Sequence, residues 1–502
     1  MTDQAQPASL SDPAASVFQS ATQWLNALHN RKIGAVELLE LHLNHLDKHQ
    51  AKVNAVVARD IEGAMAAARI SDNMSAGDRG ALQGLPMTIK DSFEVAGMPA
   101  TCGFPALADH VPLRDADAVS RLRAAGAVIY GKTNVPTGAF DWQSYNPVYG
   151  TTNNPWDVGR SPGGSSGGPS AAVAAGFSPL ELGSDIGGSI RVPSHFCGIY
   201  GHKTSYGVIS GRGHIPPMPD QLMKVEMGVF GPMARSATDL ELALDILVGT
   251  DDVQRTAWSV TIPESRKEKL SDFRVAVWTD KDVYPTDERY LAAINDYVSD
   301  LRRLGVAVET ARPDINWSAC FETYLMTLYQ LVAAAVPPSM MQQYLDIAAK
   351  ASAEDKRHTT QLARAINLRH YEYIAICEQR ERLFRIWRDF FRSYDLLICP
   401  VFPTVAYPHD HSNDGPPSML IGEFRNMFVN GEKQPYFDNL QWPSVATVAD
   451  LPSTAVPTGR YIDDVPAGVQ VIGPYLEDRT PIRFAQLVEK ELGGFVPPPA
   501  FA

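Results

Sequence analysis

The segment 163–168 constrains the fold of this chain more than any other stretch. It reads Gly-Gly-Ser-Ser-Gly-Gly and is followed at once by Pro169 and by a run of small residues, PSAAVAA, which ends at Gly176. Glycine permits backbone conformations and close approaches that side chains prevent, and proline is tolerated in the first turn of a helix. The sequence therefore predicts a tight loop that enters a helix packed closely inside the core. Backbone N–H groups at such a helix start can converge on an anion.

The same loop formally matches other patterns. Residues 164–168 fit G-x-S-x-G, the nucleophile elbow, which would make Ser166 the nucleophile, but that elbow must follow a hydrophobic strand. Here the preceding residues, NNPWDVGRSP, are typical of a loop. A phosphate-binding loop would need Lys-Ser or Lys-Thr after the glycines, and Pro169 follows instead. A flexible linker is not normally followed directly by a buried, alanine-rich helix.

A second glycine pair follows a predicted strand. The run LELGSDIGGSI, residues 180–190, leads from apolar positions into Gly187 and Gly188 and then Ser189. An oxyanion hole needs N–H donors that reach a developing negative oxygen without obstruction by side chains. A hydroxyl beside such donors is a nucleophile if a base can reach it. Taken alone, the segment is more typical of a glycine-rich turn with an incidental serine.

Lys90 stands in an apolar run, GLPMTIKD, which predicts a buried strand. Burial disfavours the ammonium form, so the pKa of a buried lysine falls and its amine can accept a proton near neutrality. The alternative is a lysine at the end of a strand that pairs with Asp91.

Together the three segments resemble the amidase signature family. The runs 163–170 and GSDIGGSIRVPS match its hallmark, and Lys90 stands where that family has its catalytic lysine. Lys90 precedes Ser165 by 75 residues, and Ser165 precedes Ser189 by 24. Further similar segments are GKTN (131–134), YGTTNNPWD (149–157), DLLICPVFPT (395–404) and GVQVIGP (468–474). The resemblance therefore covers most of the chain.

The resemblance implies a Ser–Ser–Lys triad. Ser189 would attack the scissile carbonyl, and Ser165, on a cis peptide after Gly164, would relay the proton between Ser189 and Lys90. Lys90 would start neutral, take up this proton and return it to the leaving amine. Water would then repeat the cycle on the acyl-enzyme, and no metal or organic cofactor is needed.

Three further groups of residues follow from the resemblance. The backbone N–H groups expected to hold the oxyanion are those of Ile186, Gly187, Gly188 and Ser189. The side chains expected to hold these loops in place are those of Ser166, Asp185 and Arg191. The aromatic residues near the acyl pocket are candidates for substrate contact, with core packing as the alternative: Phe140, Trp142 and Tyr145. Weaker candidates are the loop 210–219 and the helices near 321–341.

The remaining patterns predict an α/β protein. Apolar spacing predicts helices over about 21–46 and 61–70, and residues 272–312 have a strand–helix–strand pattern. With the resemblance, the expected architecture is the amidase signature fold. It has a central mixed, twisted β-sheet flanked by helices on both faces and a mainly helical, substrate-side region around 318–394. One domain, 1–502, is expected, with a flexible start at 1–15 and a catalytic core at 84–220.

Charge and composition exclude several function classes. The net charge of −13 argues against a nucleic-acid partner. The longest apolar stretch, 325–336, is too short to span a membrane, and the start has no secretory signal pattern. Five scattered cysteines favour a reducing compartment, so the cytoplasm is expected. The histidines that might suggest a metal fit no zinc spacing or lie in a polar loop, so no metal site is expected: His195, His202, His409 and His411.

The leading functional hypothesis is hydrolysis of a small-molecule amide, either an aryl amide or a carbamate (urethane), and also esters. One alternative is the glutamine-hydrolysing subunit of a tRNA-dependent amidotransferase, which needs polar groups to recognise glutamine; residues 325–392 offer no convincing set. Another is a catalytically inactive binding protein with the same fold, against which the intact triad speaks. A homodimer is expected only from the family.

Overall fold

The computed structural model describes residues 16–280, 284–334, 336–412 and 425–502; the start predicted to be flexible, 1–15, lies outside them. The helices are α1 (Ala21–His29), α2 (Ala35–Val53), α3 (Ile61–Asn73), α4 (Asp117–Ala124), α5 (Gly167–Ala174), α6 (Arg191–Cys197), α7 (Ala237–Leu247), α8 (Glu288–Arg303), α9 (Trp317–Ala333), α10 (Pro338–Lys350), α11 (His358–Ile366), α12 (His370–Phe390), α13 (Gln441–Thr447) and α14 (Arg479–Leu492). The strands are β1 (Val56–Arg59), β2 (Pro86–Lys90), β3 (Val128–Thr133), β4 (Tyr145–Asn146), β5 (Gly150–Thr151), β6 (Leu180–Asp185), β7 (Tyr200–Lys203), β8 (Val229–Ala234), β9 (Arg274–Val277), β10 (Ala307–Thr310), β11 (Leu396–Cys399), β12 (Asn426–Val429), β13 (Glu432–Pro435), β14 (Ser453–Ile462) and β15 (Val465–Ile472).

Eight strands form the central sheet in the order β10-β9-β11-β15-β14-β7-β8-β6. The β10-β9 and β9-β11 pairs are parallel and the other pairs are antiparallel, so the sheet is mixed. Helices α6, α7, α8 and α14 pack against it. The predicted α/β architecture, a mixed sheet with flanking helices, is confirmed.

A smaller sheet, in the order β1-β3-β2, carries the lysine. Every residue of β2 and β3 is buried, which explains their apolar sequences, and the two strands are parallel with Lys90 opposite Thr133. Lys90 is thus the last residue of a fully covered strand. Helix α5 packs on both strands, and β6 of the large sheet lies beside β2. The two sheets therefore meet where the three sequence segments converge.

Helix α5 is buried along its whole length, as its small residues predict. It begins at Gly167, directly after the two serines. A Cβ on Gly168 would lie 2.3 Å from the backbone N and O of Asn134, so a side chain at this position would prevent the packing of α5 on the end of β3. The sequence GGSSGG therefore reflects contact between two backbones.

The predicted helix over 21–46 is wrong in one respect, because it is two helices. Helix α1 ends at His29, and α2 begins after Gly34. The Asp72 carboxylate accepts hydrogen bonds from the N–H groups of Ala35 and Val36, at 2.6 and 3.2 Å, and so caps the start of α2. This cap comes from a residue far along the chain, which apolar spacing does not reveal.

The region 318–394 contains most of α9 and all of α10, α11 and α12, in agreement with its helical pattern. Helix α9 contacts α11, α12 and α13, and its own buried face is rich in apolar side chains. Within the described residues, no helix combines the length and the apolar character that crossing a membrane requires.

Candidate active site

Lys90 is buried and surrounded by hydroxyl groups. Its Nζ lies 2.7 Å from Ser165 Oγ and 2.9 Å from both Ser166 Oγ and Ser184 Oγ. Burial lowers the pKa of Lys90 from its ordinary value of 10.5 to about 7. The amine is therefore uncharged in a large fraction of molecules at neutral pH, which is what a general base requires.

The alternative pairing of Lys90 with Asp91 does not occur. Asp91 Oδ1 lies 3.2 Å from Nζ of Lys132, another buried lysine, and Asp91 Oδ2 accepts a hydrogen bond of 2.6 Å from the hydroxyl of Thr101. Successive side chains along an extended chain point to opposite sides. Lys90 and Asp91 consequently enter different environments.

The serine loop places both of its hydroxyls beside Lys90. The Gly164–Ser165 peptide is cis. Ser166 is fully buried, its backbone N–H donates to the carbonyl of Ser189 at 3.0 Å, and its hydroxyl contacts Lys90. The residues between β5 and Ser166 form no strand, so the structural context of a nucleophile elbow is missing from this described part of the chain.

Ser189 is the most accessible member of the predicted triad. It is 8 % exposed, compared with 1 % for Ser165 and 0 % for Lys90. Ser189 and Ser165 line the same cavity, and Lys90 lies behind Ser165. The order from the cavity to the interior is therefore Ser189, Ser165 and Lys90.

A buried ion pair holds the turn that carries Ser189. The Asp185 carboxylate accepts hydrogen bonds from the N–H groups of Gly188 and Ile190 at 2.9 and 3.0 Å, and from the Arg191 guanidinium at 2.8 Å. Burial raises the pKa of Asp185, but the charge and hydrogen bonds of Arg191 outweigh it and hold the pKa at about 2. The remaining Arg191 donors bind three groups from the C-terminal part of the chain: Pro443 O, Thr447 Oγ1 and Gln470 Oε1.

The turn leaves three N–H groups for an oxyanion. Gly188 is among the expected donors, but its N–H points at the Asp185 carboxylate. Within the described residues, the N–H groups of Ile186, Gly187 and Ser189 have no hydrogen-bond partner. The N–H groups left without a partner therefore differ from the expected donors in one position, because the Gly188 N–H binds the Asp185 carboxylate.

A cavity of about 290 Å³ opens above Ser189. Phe140, one of the three aromatic candidates, lines it. So do both weaker candidate regions, through Pro216, Pro217 and Met218 in the loop and through Leu328, Leu331 and Val332 in α9. Lining residues that no sequence pattern indicated come from two separate parts of the chain, around 104 and over 223–230: Phe104, Met223, Val225, Val229 and Phe230. They have no shared periodicity that could have marked them.

The other two aromatic candidates lie elsewhere. Trp142 is buried against Phe402 and Tyr436, and its indole N–H donates to the carbonyl of Gly187 at 2.9 Å. Tyr145 stacks on the ring of His411, with 4.1 Å between the ring centres. Neither lines the cavity described above, because each ring is used in packing between chain segments.

The two histidines close to Cys197 in the sequence have protein partners on both ring nitrogens. His195 contacts Gly468 N and Thr404 O with its two ring nitrogens, at 2.7 and 3.1 Å. His202 contacts Thr454 Oγ1 and Asp478 Oδ1 in the same way, at 2.9 and 3.2 Å. Both therefore support the packing of the large sheet.

Removing the buried cation should destabilise the protein strongly. Arg191→Met leaves Asp185 buried without its counter-charge, and we expect the free energy of unfolding to fall by about 3–5 kcal/mol. Urea denaturation followed by circular dichroism measures this change. Arg382→Met is the matched control, because the Arg382–Glu378 pair is exposed and should contribute less than about 1 kcal/mol. Equal losses for the two variants would contradict a structural role for the buried pair.

Comparison with known proteins identifies the family of this chain. The Amidase family model matches residues 37–481. The chain is 30% identical over 93% of its length to a glutamyl-tRNA(Gln) amidotransferase subunit from Picosynechococcus sp., covering 97% of that protein. A bacterial aryl acylamidase of the amidase signature family has a similar fold, with a TM-score of 0.77, 22% identity and coverage of 95% of this chain and 96% of that one. For a 6-aminohexanoate cyclic dimer hydrolase the TM-score is 0.74, with 25% identity and coverage of 95% and 97%. The chain belongs to the amidase signature family and is an enzyme that hydrolyses amide C–N bonds.

Proposed function

We propose that this protein is a stand-alone serine amidase that hydrolyses small amides and carbamates bearing an apolar, preferably aromatic, group. This proposal rests on the cavity at Ser189. Its described lining has two ionisable side chains, those of Asp185 and His214. Asp185 is already paired with Arg191, and burial lowers the pKa of His214 to about 3, so this ring is uncharged at neutral pH. Burying apolar surface in such a cavity contributes about 25 cal/mol per Å², so the substrate is selected by its apolar area.

The proposed reaction begins with the neutral amine of Lys90. It takes the proton of Ser165, which takes that of Ser189, as the Ser189 oxygen forms a bond to the substrate carbonyl carbon. The N–H groups of Ile186, Gly187 and Ser189 are the donors available for the negative oxygen. The proton then returns through Ser165 to the leaving nitrogen and the C–N bond breaks. Water hydrolyses the acyl-enzyme by the same proton path in reverse order.

The preference for an aromatic group is supported by the rings in the cavity wall. Phe104, Phe140 and Phe230 all line the cavity. Flat rings favour edge-to-face or offset contacts with an aryl group, which contribute about 0.5–1.5 kcal/mol beyond the area buried. Aryl carbamates and aryl esters offer the same ring and carbonyl, so both are expected to be alternative substrates.

A second candidate function is glutamine hydrolysis for a partner enzyme. It is favoured by the 30% identity to a protein named as a subunit of glutamyl-tRNA(Gln) amidotransferase. Recognition of glutamine requires partners for its α-ammonium and α-carboxylate groups, because unpaired charges are costly to desolvate. The described cavity lining supplies no cation, and its acid is engaged with Arg191. The apolar amidase is therefore the better supported function.

A substrate panel tests the proposal. We expect turnover of 4-nitroanilides and aryl carbamates, with kcat/KM rising from acetyl to hexanoyl and benzoyl groups, and no release of ammonia from glutamine. Purified Ser189→Ala provides the background rate for every substrate. If the protein released ammonia from glutamine and turned over neither anilides nor carbamates, glutamine hydrolysis would be the better supported function. Equal kcat/KM values across the acyl series would contradict selection by apolar area.

A further inference from the structure

The turn 186–188 contains two adjacent glycines, the residues with the greatest backbone freedom. An oxyanion hole is effective when its donors are held in place before the reaction. Donors that had to reorient during the reaction would cost free energy. The Asp185 carboxylate fixes only the last N–H of this turn, that of Gly188. Other contacts must therefore orient the peptide that presents the Gly187 N–H.

Tyr324 of α9 makes the first of these contacts. Its hydroxyl donates to the carbonyl of Ile186 at 3.1 Å. A trans peptide is planar, so the carbonyl of one residue and the N–H of the next point in opposite directions. The bond from Tyr324 consequently directs the Gly187 N–H away from α9. Tyr324 is fully buried, and burial raises the pKa of its hydroxyl, which remains a donor throughout the neutral range.

Trp142 makes the second contact, on the next peptide. Its indole N–H donates to the carbonyl of Gly187 at 2.9 Å, and the N–H of that same peptide meets Asp185 on the other side. The peptide between the two glycines is thus held at both ends. The backbone of Trp142 is itself held, because its carbonyl accepts a hydrogen bond of 3.1 Å from the Ser161 hydroxyl.

Trp142 also joins this turn to the serine loop. A Cβ on Gly164 would lie 2.3 Å from the carbonyl oxygen of Asp141, so the chain entering Trp142 runs directly over the peptide that carries Ser165. One short segment therefore touches both glycine-rich loops of the site. A hydrogen bond to a carbonyl also polarises its peptide and strengthens the N–H on the other side.

We propose that Tyr324 and Trp142 are positioning residues that hold the oxyanion-binding turn, through hydrogen bonds to two consecutive carbonyls. The inference rests on the proposed function, in which Ser189 forms a covalent acyl intermediate. Neither residue touches the substrate in this assignment. Helix α9 then has two roles, because Tyr324 fixes the turn and Leu328, one helical turn later, lines the cavity.

The test uses the rate at which an alkyl fluorophosphonate labels the protein. In this reaction the Ser189 oxygen bonds to phosphorus, fluoride leaves, the serine proton passes to the base, and the phosphoryl oxygen occupies the oxyanion site. We expect Tyr324→Phe and Trp142→Phe each to lower the second-order labelling rate roughly 10- to 100-fold, somewhat less than loss of an oxyanion donor. On a turned-over substrate, kcat should fall by a similar factor while KM changes little.

Tyr344→Phe is the matched control. Tyr344 is also fully buried in the helical region, but its hydroxyl has no hydrogen-bond partner among the described residues. Its labelling rate should equal that of the wild type. Thermal unfolding of each variant shows whether the fold is kept. Tyr324→Phe removes a single hydroxyl, so it still tests the inference if Trp142→Phe does not fold.

The outcomes separate the inference from the proposed function. Wild-type labelling that disappears in Ser189→Ala but is unchanged in Tyr324→Phe would overturn the positioning role and leave the nucleophile in place. Labelling that persists in Ser189→Ala would overturn the proposed function, and the inference with it. A raised KM with unchanged kcat in Tyr324→Phe would also overturn the inference, since it would indicate contact with the substrate.

Discussion

Ser189→Ala is expected to lower turnover of every substrate by about 10⁴-fold or more and to abolish labelling by a fluorophosphonate. Without the hydroxyl no acyl-enzyme forms, and the remaining groups can assist only direct attack by water. Ser189 is the most exposed of the three proposed triad residues and lines the cavity, with the unpartnered N–H groups of its turn beside it. Stopped-time assays of anilide turnover and mass spectrometry of the labelled protein measure the two effects.

Ser166→Ala is the control that distinguishes Ser189 from Ser166, the serine of the G-x-S-x-G match, as the nucleophile. Ser166 is fully buried and its hydroxyl is engaged by Lys90, so this variant should label more slowly but should still label at Ser189. The unfolding temperature of Ser189→Ala should remain close to that of the wild type, because the Ser189 hydroxyl faces the cavity rather than the packed interior. Retained activity in Ser189→Ala, together with loss of labelling in Ser166→Ala, would reverse the assignment of the nucleophile.

The parts of the site that the sequence predicts are those set by local backbone requirements. Gly168 has no side chain because α5 lies against Asn134, and Lys90 is conspicuous because it ends an apolar strand. Such requirements restrict the residue types within a few positions of the residue concerned, so they are visible in the local sequence. The packing of α5 and the burial of Lys90 can consequently be inferred from the sequence alone.

The parts that the sequence does not predict depend on contacts between distant segments. Trp142 is an aromatic candidate for substrate contact, but its indole N–H is used by Gly187, 45 residues later in the chain. Gly188 is an expected oxyanion donor, but its N–H serves Asp185. Both assignments depend on the orientation of single peptide groups. Residue type and spacing carry no information about such orientations.

The residues that line the cavity are also not predicted from the sequence, for a different reason. Phe104, Phe230 and Leu331 meet in one cavity although they lie on different loops, strands and helices. Each is an ordinary apolar residue in its local pattern, so nothing distinguishes a cavity wall from a core position. Substrate preference is therefore harder to infer from the sequence than the chemistry of the triad.

Lys90→Met is expected to remove activity and yet keep or increase stability. Loss of the base should lower kcat/KM by about 10⁴-fold, because the triad residues act as a unit. The pKa of Lys90 falls from 10.5 to about 7 on burial, which at about 1.4 kcal/mol per pKa unit costs the folded protein on the order of 4 kcal/mol at neutral pH. Three hydroxyl contacts, each worth about 1 kcal/mol, offset part of this cost. A methionine of similar length avoids the cost, so urea denaturation should find the variant at least as stable as the wild type.

The matched control is Lys203→Met. Burial also lowers the pKa of Lys203, to about 8, but its amine donates to the backbone carbonyls of Thr204 and Leu451 and lies outside the described cavity lining. Its kcat/KM should fall by less than about 10-fold, since it takes no part in proton transfer. Comparable activity losses in the two variants would contradict the assignment of Lys90 as the base.

The dependence on pH provides an independent check of the same base. Since the neutral amine is the active form, kcat/KM of the wild type should rise with pH through about 7 and level off above it. Between about pH 7 and 10.5 the unfolded chain holds a proton on Lys90 that the folded protein has released, so the contribution of Lys90 to stability becomes more favourable as pH rises. This contribution should be absent from Lys90→Met, whose stability should vary less over that window. If activity instead fell through pH 7, or if Lys90→Met were destabilised by several kcal/mol, Lys90 would be a structural cation and the proposed proton path would have to be abandoned.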